Sequence, residues 1–274
     1  MANKQKPLYF FLHIPKTGGT SIAKVLNRLY RSRYIPLENG TNEENRIAVI
    51  NILKNEPNRY DVIGGHVGGF GIHEGSQRPV RYLTILRDPG ARAISLYYMI
   101  MRVKTHRRHA QFQQYGSIEE GLTHIGSNLQ TRVLAGIPKD TVVTAEHLEL
   151  AKRNIEEWFD AVAILERFDE SLILMRRALG WKTLVIAPPH ENAGKNRPKA
   201  LPESVIQLAN DLNAYDTELY EFANALMDKR IRELGFTYRS DALQVWARRA
   251  FRTFKATVKK RLKRGTPPKA AKGA

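Results

Sequence analysis

The sequence contains no cysteine, no long hydrophobic run and no acidic residue between positions 248 and 274. Without cysteine, the chain cannot form disulfides, thiolate metal sites or a cysteine nucleophile. No window approaches the roughly 18 consecutive apolar residues that a membrane-spanning helix needs, and the apolar run at 8–14 is too short for the core of a signal peptide. We therefore expect a cytoplasmic protein, with peripheral attachment to the inner face of the membrane as the one membrane-associated alternative.

The formal net charge of +17 is concentrated at one end of the chain. Eleven Lys or Arg residues lie between positions 248 and 274, so the rest of the chain carries only +6. A mildly basic body suits a site for polyanionic ligands without selecting nucleic acid over a nucleotide or a sulfated sugar. Because no segment resembles a known nucleic-acid-binding module, nucleic acid is not an expected partner.

Predicted strands and helices alternate along the chain. The apolar run at 8–14 predicts a strand buried on both faces, and a helical pattern follows from Thr20. Another strand is predicted at 81–86, and a helix begins near Pro89 and continues to about Arg102. The same reasoning predicts further strands at 60–64, 161–165 and 184–186. It predicts further helices at 43–53, 145–159, 170–179 and 215–234. This alternation favours an α/β fold, a P-loop-like doubly wound parallel sheet flanked by helices.

The composition of the chain changes near Tyr238. Beyond that point apolar residues recur every four positions among basic ones, at Trp246, Ala250, Phe254, Val258 and Leu262. The pattern predicts a C-terminal basic amphipathic helix, and the Pro-, Ala- and Lys-rich end predicts disorder. We accordingly divide the chain into a main domain, 1–240, and a tail, 241–274. Residues 243–264 suit an anionic membrane surface, packing against the body, or capture of an acidic polysaccharide.

Residues 13–21, HIPKTGGTS, join the first predicted strand to the first predicted helix. An anion bound at such a joint meets unpaired amide groups and the positive end of the helix dipole. The two glycines let the backbone approach the ligand, Lys16 supplies a mobile charge, and Thr20 and Ser21 add hydroxyl donors. The loop differs from that of nucleoside triphosphatases, GxxxxGK[ST], because Lys16 precedes the glycines.

A second candidate phosphate site follows the strand predicted at 81–86. Arg87 stands at the end of that strand, and Ser95 lies about two turns into the next helix. Arginine binds phosphate through two parallel hydrogen bonds, and a serine on the facing side of the helix adds a third donor. By itself, the segment RDP is as compatible with a capped helix start and a surface salt bridge as with a ligand site.

The segment PKTGGTS after an apolar strand resembles the 5′-phosphosulfate loop of the sulfotransferases that depend on 3′-phosphoadenosine 5′-phosphosulfate (PAPS), especially a bacterial type of the heparan sulfate 2-O-sulfotransferase branch. RDPGARAISLYY is similar to the second motif of that family. The resemblance implies that Lys16 stabilises the bridging oxygen as it leaves and that Arg87 and Ser95 bind the 3′-phosphate. It implies PAPS as co-substrate, no metal, and a PAPS-binding set made up of Lys16, Thr17, Gly18, Gly19, Thr20, Ser21, Arg87 and Ser95.

Sulfuryl transfer also requires a base that deprotonates the acceptor hydroxyl. His66 lies in the glycine-rich loop after the second predicted strand, and histidine suits this role near neutral pH. The segment resembles the Gly-His element of the 2-O-sulfotransferase branch, which implies that His66 is the catalytic base; Gly64 stands where that branch often has a second histidine. A structural hydrogen bond is the alternative role for a loop histidine. His73 and Glu74 are fallback bases, and His13 is expected to be structural.

Three functions remain open at this point. The resemblance, which runs from about Leu8 to Phe236, implies an O-sulfotransferase that acts on a hydroxyl group of a carbohydrate or glycolipid. A P-loop-like nucleotide kinase or phosphotransferase is disfavoured by the position of Lys16 and by the lack of an evident Mg²⁺-binding carboxylate after a strand. The third is a non-catalytic protein that binds anionic membranes or glycans through its tail. Lys195 and Arg197, in a late basic loop, either close over a ligand or remain solvated.

Overall fold

Five parallel strands form one sheet in the part of the chain that this computed structural model describes, which is residues 6–182, 185, 198 and 200–264, with the backbone alone for 252–264. The strands are β1 (Leu8–Leu12), β2 (Tyr34–Leu37), β3 (Val62–Gly65), β4 (Val80–Leu86) and β5 (Phe159–Ile164). Their order is β2-β3-β1-β4-β5, so β1 is central and β2 and β5 are the edges. Every pairing is parallel, which confirms the predicted α/β class and parallel sheet.

Helices connect the strands and flank the sheet. The described residues form eleven α-helices, which are α1 (Gly19–Tyr30), α2 (Asn42–Asn55), α3 (Pro89–Arg102), α4 (His109–Phe112), α5 (Ile118–Thr123), α6 (Leu129–Ala135), α7 (Ala145–Trp158), α8 (Phe168–Ala178), α9 (Glu203–Asp211), α10 (Ala214–Leu234) and α11 (Phe236–Arg264). Single turns of 3₁₀ helix lie at Arg31–Arg33, Ile72–Gly75 and Leu165–Arg167. None of the helices in the described ranges combines the length and the apolar character needed to cross a bilayer.

Alternate residues of β1 fill two cores, one on each face of the sheet. Phe10 and Leu12 pack with side chains of α2, α6, α7 and α10. Phe11, which points the other way, packs with side chains of α1 and α8. Because successive side chains of a strand point to opposite faces, a strand covered on both sides must be apolar throughout. This explains the continuous run LYFFL and fixes the end of β1 rigidly where the next turn begins.

Strand β2 is the one strand in the described residues that the sequence did not predict. It has only four residues, YIPL, and Pro36 lies within it. Proline cannot donate to the ladder and is tolerated on an edge strand, which is where β2 lies. The apolar segment that would predict a strand is therefore short and interrupted by proline. The strand nevertheless matters for the site, because it sets the position of Glu38, the residue that follows it.

The other predicted elements correspond to observed ones within a few residues. The strands at 8–14, 60–64, 81–86 and 161–165 are β1, β3, β4 and β5, and the helices at 43–53, 145–159, 170–179 and 215–234 are α2, α7, α8 and α10. The predicted strand at 184–186 lies outside the described residues apart from position 185. A single helix, α11, runs across the predicted boundary at 240; that boundary, the P-loop-like character of the fold and the basic amphipathic character of the tail stay predictions.

The strand order creates a crevice at the carboxyl ends of β1 and β4. The chain leaves β1 toward the side of the sheet that holds β3 and β2, and it leaves β4 toward the other side, where β5 lies. In parallel α/β sheets, ligands bind at the point where successive connections diverge in this way. The turn after β1, which contains Lys16, and the end of β4, which carries Arg87, border this crevice.

Candidate active site

The turn after β1 has a constrained backbone. Lys16 (φ 71°) and Gly18 (φ 90°) both lie in the left-handed region, which a lysine enters only at an energetic cost. The hydroxyl of Thr17 donates a hydrogen bond to the carbonyl oxygen of Ile14 at 2.8 Å and fixes the turn from inside. Since Thr17 is fully buried and its hydroxyl is bonded, we expect it to contact a ligand only through its main chain.

Packing requires both glycines of this turn. A Cβ atom on Gly18 would lie 2.6 Å from Cδ1 of Leu165, and one on Gly19 would lie 2.0 Å from Cδ2 of His13. Neighbours this close leave no room for a side chain in a densely packed interior. Gly18 also precedes α1 without a capping side chain. The first-turn amides of α1 therefore keep the anion-binding character of an uncapped helix start.

Arg87 connects the two sequence motifs. Its Nη1 donates a hydrogen bond to the carbonyl oxygen of Lys16 at 3.1 Å, so the turn after β1 and the end of β4 are in direct contact. Its Nε lies 4.0 Å from a carboxylate oxygen of Glu166, which is a long ion pair. The two predicted phosphate sites therefore meet in one place, where a single ligand could reach both.

A third cation lies near these two. Burial lowers the pKa of Lys16, and the neighbouring charges of Arg102 and Arg87 lower it further. The sequence did not single out Arg102, the last residue of α3, because it lies fifteen positions after Arg87 and carries no motif. Like charges held together destabilise one another. A polyanionic ligand would relieve this repulsion.

The three candidate hydroxyl donors differ in their positions. Thr20 is exposed and Ser21 is buried, both in the first turn of α1. Ser95 is partly buried in the second turn of α3, a helix that Asp88 caps by accepting a hydrogen bond from the Ala91 amide at 2.7 Å. The assignment of all three hydroxyl groups to phosphate stays a prediction.

His66 reaches the turn after β1 from the end of β3. Its Nδ1 lies 2.7 Å from the carbonyl oxygen of His13. A carbonyl oxygen only accepts, so Nδ1 must carry the proton and donate it to this bond. The neutral ring therefore keeps its lone pair on Nε2, which is the atom that could act as a general base.

Glu38 stands beside both histidines and was not among the predicted residues. Its carboxylate accepts a hydrogen bond from Nδ1 of His13 at 2.7 Å and lies 3.4 Å from Nε2 of His66. The two imidazole rings stack with their centroids 4.2 Å apart. A carboxylate beside Nε2 would stabilise the imidazolium that forms when His66 takes up a proton. His13, expected to be structural, therefore also forms part of the surroundings of the candidate base.

The pKa directions of His66 and Glu38 agree with these roles. Burial lowers the pKa of His66, the His13 ring lowers it further, and the Glu38 charge and the bond to the His13 carbonyl oppose the change. Burial alone would raise the pKa of Glu38, but the hydrogen bond from His13 and the charges of both rings bring it below its usual value. At neutral pH a neutral His66 thus faces an ionised Glu38, which are the protonation states that a base and its charge partner need.

Asn45 joins the end of β2 to the loop that carries His66. Its side-chain amide donates to the carbonyl oxygens of Leu37 at 3.0 Å and of His66 at 2.9 Å. The amide of His66 also donates to the carbonyl oxygen of Leu37 at 3.1 Å. Because Asn45 is buried in α2, these bonds hold Glu38, the residue after Leu37, at a fixed place relative to His66.

Comparisons with known proteins show which family this chain resembles. Residues 128–257 match the family model described as galactose-3-O-sulfotransferase. The chain is 32% identical over 170 residues to galactose-3-O-sulfotransferase 3 of Mus musculus and of Bos taurus, and 31% identical to that of Homo sapiens. This part of the chain is therefore similar to galactose-3-O-sulfotransferases. Each alignment covers 56% of this chain and 39% of the relative, so the chain spans well under half the length of these curated relatives.

The similarity to galactose-3-O-sulfotransferases supports the resemblance to sulfotransferases drawn from the phosphosulfate motif. The narrower resemblance, to a bacterial type of the 2-O-sulfotransferase branch, stays a prediction. The family match begins at Asn128 and therefore excludes Lys16, His66 and Arg87. The roles of those three residues depend on the sequence motifs and on the geometry described above.

The matched segment nevertheless fixes the main chain of Arg87. The side chain of Gln130 accepts from the Arg87 amide at 2.9 Å and donates to the Arg87 carbonyl oxygen at 2.9 Å. The amides of Gln130 and Thr131 donate to the Asp216 carboxylate at 3.0 and 2.7 Å. Gln130 and Asp216 are fully buried. Gln130 is thus a positioning residue for Arg87 within the part of the chain that the family model matches.

A cleft of about 530 Å³ opens beside the candidate base. His66 and Pro15, the neighbour of Lys16, line one part of it, and Phe70 and Arg132 line another. The volume lies within the range of small-molecule sites. An acceptor in this cleft would have its hydroxyl group near His66 and near the turn that is expected to bind the donor.

His13, Glu38 and His66 also form the one group in the described residues that has the composition and spacing of a metal site. Each offers a ligand atom, and these atoms lie within 4.8 Å of one another. Two imidazoles and a carboxylate suit divalent transition metals such as zinc, but Nδ1 of His13 and the Glu38 carboxylate are already joined by a hydrogen bond. The expectation that this protein works without a metal stays a prediction.

Two other groups of candidates lie elsewhere. His73 stacks on Trp158 with ring centroids 3.9 Å apart and lies 2.9 Å from the hydroxyl of Tyr82. Trp158 immediately precedes β5, so His73 packs at the amino end of that strand, opposite the crevice. Its use as a fallback base is not supported by this position.

Lys195 and Arg197 lie outside the described residues.

Proposed function

We propose that this chain is an O-sulfotransferase that moves a sulfuryl group from PAPS to a hydroxyl group of a carbohydrate. The observation that carries the proposal is the hydrogen bond from Arg87 to the carbonyl oxygen of Lys16, which brings two anion-binding motifs together. PAPS carries charged groups at both its 5′ and 3′ positions and would use both motifs, whereas a nucleoside triphosphate would use only one. The similarity to galactose-3-O-sulfotransferases supports sulfuryl transfer as the reaction.

Three side chains account for the chemistry. Nε2 of His66 takes the proton of the acceptor hydroxyl while the hydroxyl oxygen attacks the sulfur atom in line with the leaving group. The bond between sulfur and the bridging oxygen breaks, and Lys16 stabilises the negative charge that develops on this oxygen. Glu38 stabilises the imidazolium of His66. The products are a sulfate ester and 3′-phosphoadenosine 5′-phosphate (PAP).

The proposed acceptor is a galactose unit of a glycan or glycolipid, with the 3-hydroxyl group as the first position to test. The names of the relatives support the sugar, and the cleft beside His66 has room for it. The cytoplasmic location expected from the sequence completes the proposal.

A transfer assay tests the reaction. The protein is incubated with radiolabelled PAPS and a galactose-terminated oligosaccharide, and the sugar is isolated and its sulfated position determined. We expect label in the sugar from PAPS and none when PAPS is replaced by ATP labelled in its γ-phosphate. Label transferred from ATP alone would identify a phosphotransferase, and no transfer to any of a panel of glycans and glycolipids would leave only the non-catalytic function.

Arg87→Ala is expected to raise the Kd for PAP by about 10- to 100-fold, because hydrogen bonds to a charged group contribute about 1.5–3 kcal/mol. The Kd for AMP, which lacks the 3′-phosphate, is expected to change little. Titration calorimetry with both nucleotides measures the difference. Arg28→Ala, at an exposed arginine in the last turn of α1, is the matched control. Equal losses for PAP and AMP would show that Arg87 does not read the 3′-phosphate.

A further inference from the structure

Helix α11 has two apolar faces, and the body of the protein covers only one of them. The covered face packs against Ile173 of α8 through Tyr238, Ala242 and Val245. Away from this face the helix exposes Phe236, Leu243, Trp246 and Phe251, which we call the outer face. Trp246 lies at the border with the covered face, where it and Ala250 also line the groove between α11 and α8. Phe236, Leu243 and Trp246 are 81%, 65% and 68% exposed. Large apolar side chains that recur at helical spacing on an exposed surface indicate a binding face.

The sequence continues this pattern and adds a strong positive charge. Phe254, Val258 and Leu262 keep the four-residue spacing, and eleven Lys or Arg with no acidic residue lie between positions 248 and 274. Such a concentration of positive charge favours an anionic occupant. A second copy of this chain would bring two equally charged segments together, which makes self-association through this face unfavourable.

We propose that the outer face of α11 binds the surface of an anionic lipid bilayer. A bilayer interface provides an apolar layer for Leu243 and Trp246 and anionic headgroups for the flanking Lys and Arg at the same time. Basic residues near such a surface are attracted to its anionic headgroups. A soluble polyanion would neutralise the charges but would leave the exposed apolar side chains in water, so it satisfies only half of the pattern.

Ion pairs show which part of the protein this helix would bring to the membrane. Asp241, near the start of α11, pairs with Arg176 and Arg177 at the end of α8, and Arg249 pairs with Asp169 at its start. The two helices are therefore antiparallel. Since α8 begins just after the carboxyl end of β5, α11 runs toward the edge of the sheet that carries the crevice.

The crevice is close to this end of the pair of helices. Glu166, three residues before Asp169, accepts a hydrogen bond from the Asp88 amide at 3.2 Å and lies 4.0 Å from Nε of Arg87. Helix α11 continues for fifteen residues after Arg249, which corresponds to about 22 Å. A bilayer bound along α11 would therefore lie next to the donor site proposed above, so that a membrane-embedded acceptor would not need to leave the bilayer.

Sedimentation with lipid vesicles tests the proposal with the full-length protein. We expect binding to vesicles of phosphatidylcholine that contain phosphatidylglycerol, little binding to phosphatidylcholine alone, and weaker binding at high salt. Leu243→Glu and Trp246→Glu are expected to lower the partition coefficient by about tenfold or more. The fluorescence of the wild-type protein should shift to shorter wavelength on binding, and Trp246→Phe should remove the shift.

Val142→Glu is the matched control, because Val142 is an apolar residue that is 79% exposed outside α11 and the change in charge is the same. Thermal unfolding verifies that each variant is folded, and Leu243→Ser and Trp246→Ser provide milder replacements. Lys16→Ala should bind vesicles like the wild type. Equal binding to neutral vesicles, or unchanged binding by Leu243→Glu, would overturn the proposal. The proposal would also be overturned if the wild-type protein were a dimer that only the outer-face variants disrupt. It would be overturned as well if these variants lost as much binding to dextran sulfate, a soluble polyanion, as to vesicles.

Discussion

His66→Ala is expected to lower kcat for sulfuryl transfer by about 10²–10⁴-fold, the usual contribution of a positioned general base. The reason is geometric, because the bond from Nδ1 to the His13 carbonyl oxygen leaves the lone pair on Nε2. Steady-state kinetics with PAPS and the acceptor found in the transfer assay measure the change. His124→Ala, at an exposed histidine in a different part of the chain, is the matched control and should keep wild-type activity.

The pH profile of kcat/KM distinguishes the base from a structural residue. The base acts in its neutral form, so activity should rise with pH as His66 loses its proton. Because burial and the His13 ring lower the pKa of His66 from 6.5, half of the plateau should be reached below pH 6.5. In Glu38→Gln the midpoint should move to still lower pH, since the negative charge that favours the imidazolium is lost. The contradicting result is a Glu38→Gln variant that loses as much activity as His66→Ala and whose kcat/KM no longer falls at low pH. That result would show that the carboxylate is the base.

Lys16→Ala is expected to lower kcat by about 10²–10³-fold, which is the effect of removing one group that stabilises charge in a transition state. The Kd for PAP should rise much less, because the full charge on the bridging oxygen develops only as the bond to sulfur breaks. Lys24→Ala, at an exposed lysine in α1, provides the control. Lys16→Arg should restore part of the rate by returning the charge. A rise in the KM for PAPS with kcat unchanged would show that Lys16 only holds the donor.

The fold and the phosphate turns could be predicted because the information lies within short segments. The run LYFFL is apolar throughout since β1 is covered on both faces, and the turn after it contains the lysine, glycines and hydroxyl residues that an anion requires. Arg87 was predicted for the same reason, as the first residue after an apolar strand. In each turn neighbours in sequence are also neighbours in space, so local patterns were enough to nominate these residues, and their ligand-binding roles stay predictions.

Glu38, Gln130 and Arg102 could not be predicted in this way. Glu38 reaches His66 only because β2 pairs with β3, and the proline in that short edge strand hides the strand signal. Gln130 contacts the main chain of Arg87 across 43 positions. Arg102 lies close enough for its charge to lower the pKa of Lys16 although the two residues are far apart in sequence. One sequence signal could have pointed to Glu38, because it is an acidic residue directly after the four-residue segment YIPL. To use this signal, the segment would first have to be recognised as a strand.

The exposed side of α11 shows a different limit. The sequence predicted its spacing of apolar and basic residues but left open whether the body, a membrane or a glycan would cover the apolar side. The structure shows that Val245 and its neighbours pack on α8 while Leu243 is exposed, and Trp246 is exposed at the edge of the groove between the two helices. The pattern therefore contains two apolar faces rather than one, and the orientation of α11 beside α8 connects the outer face with the donor crevice.

A crystal structure of the protein with PAP tests most directly whether one nucleotide occupies both turns. We expect the 5′-phosphate at the turn that contains Lys16 and the 3′-phosphate within hydrogen-bond distance of the Arg87 guanidinium, both from one nucleotide. A structure in which the nucleotide contacts one of these residues while the other faces a different cavity would contradict this expectation.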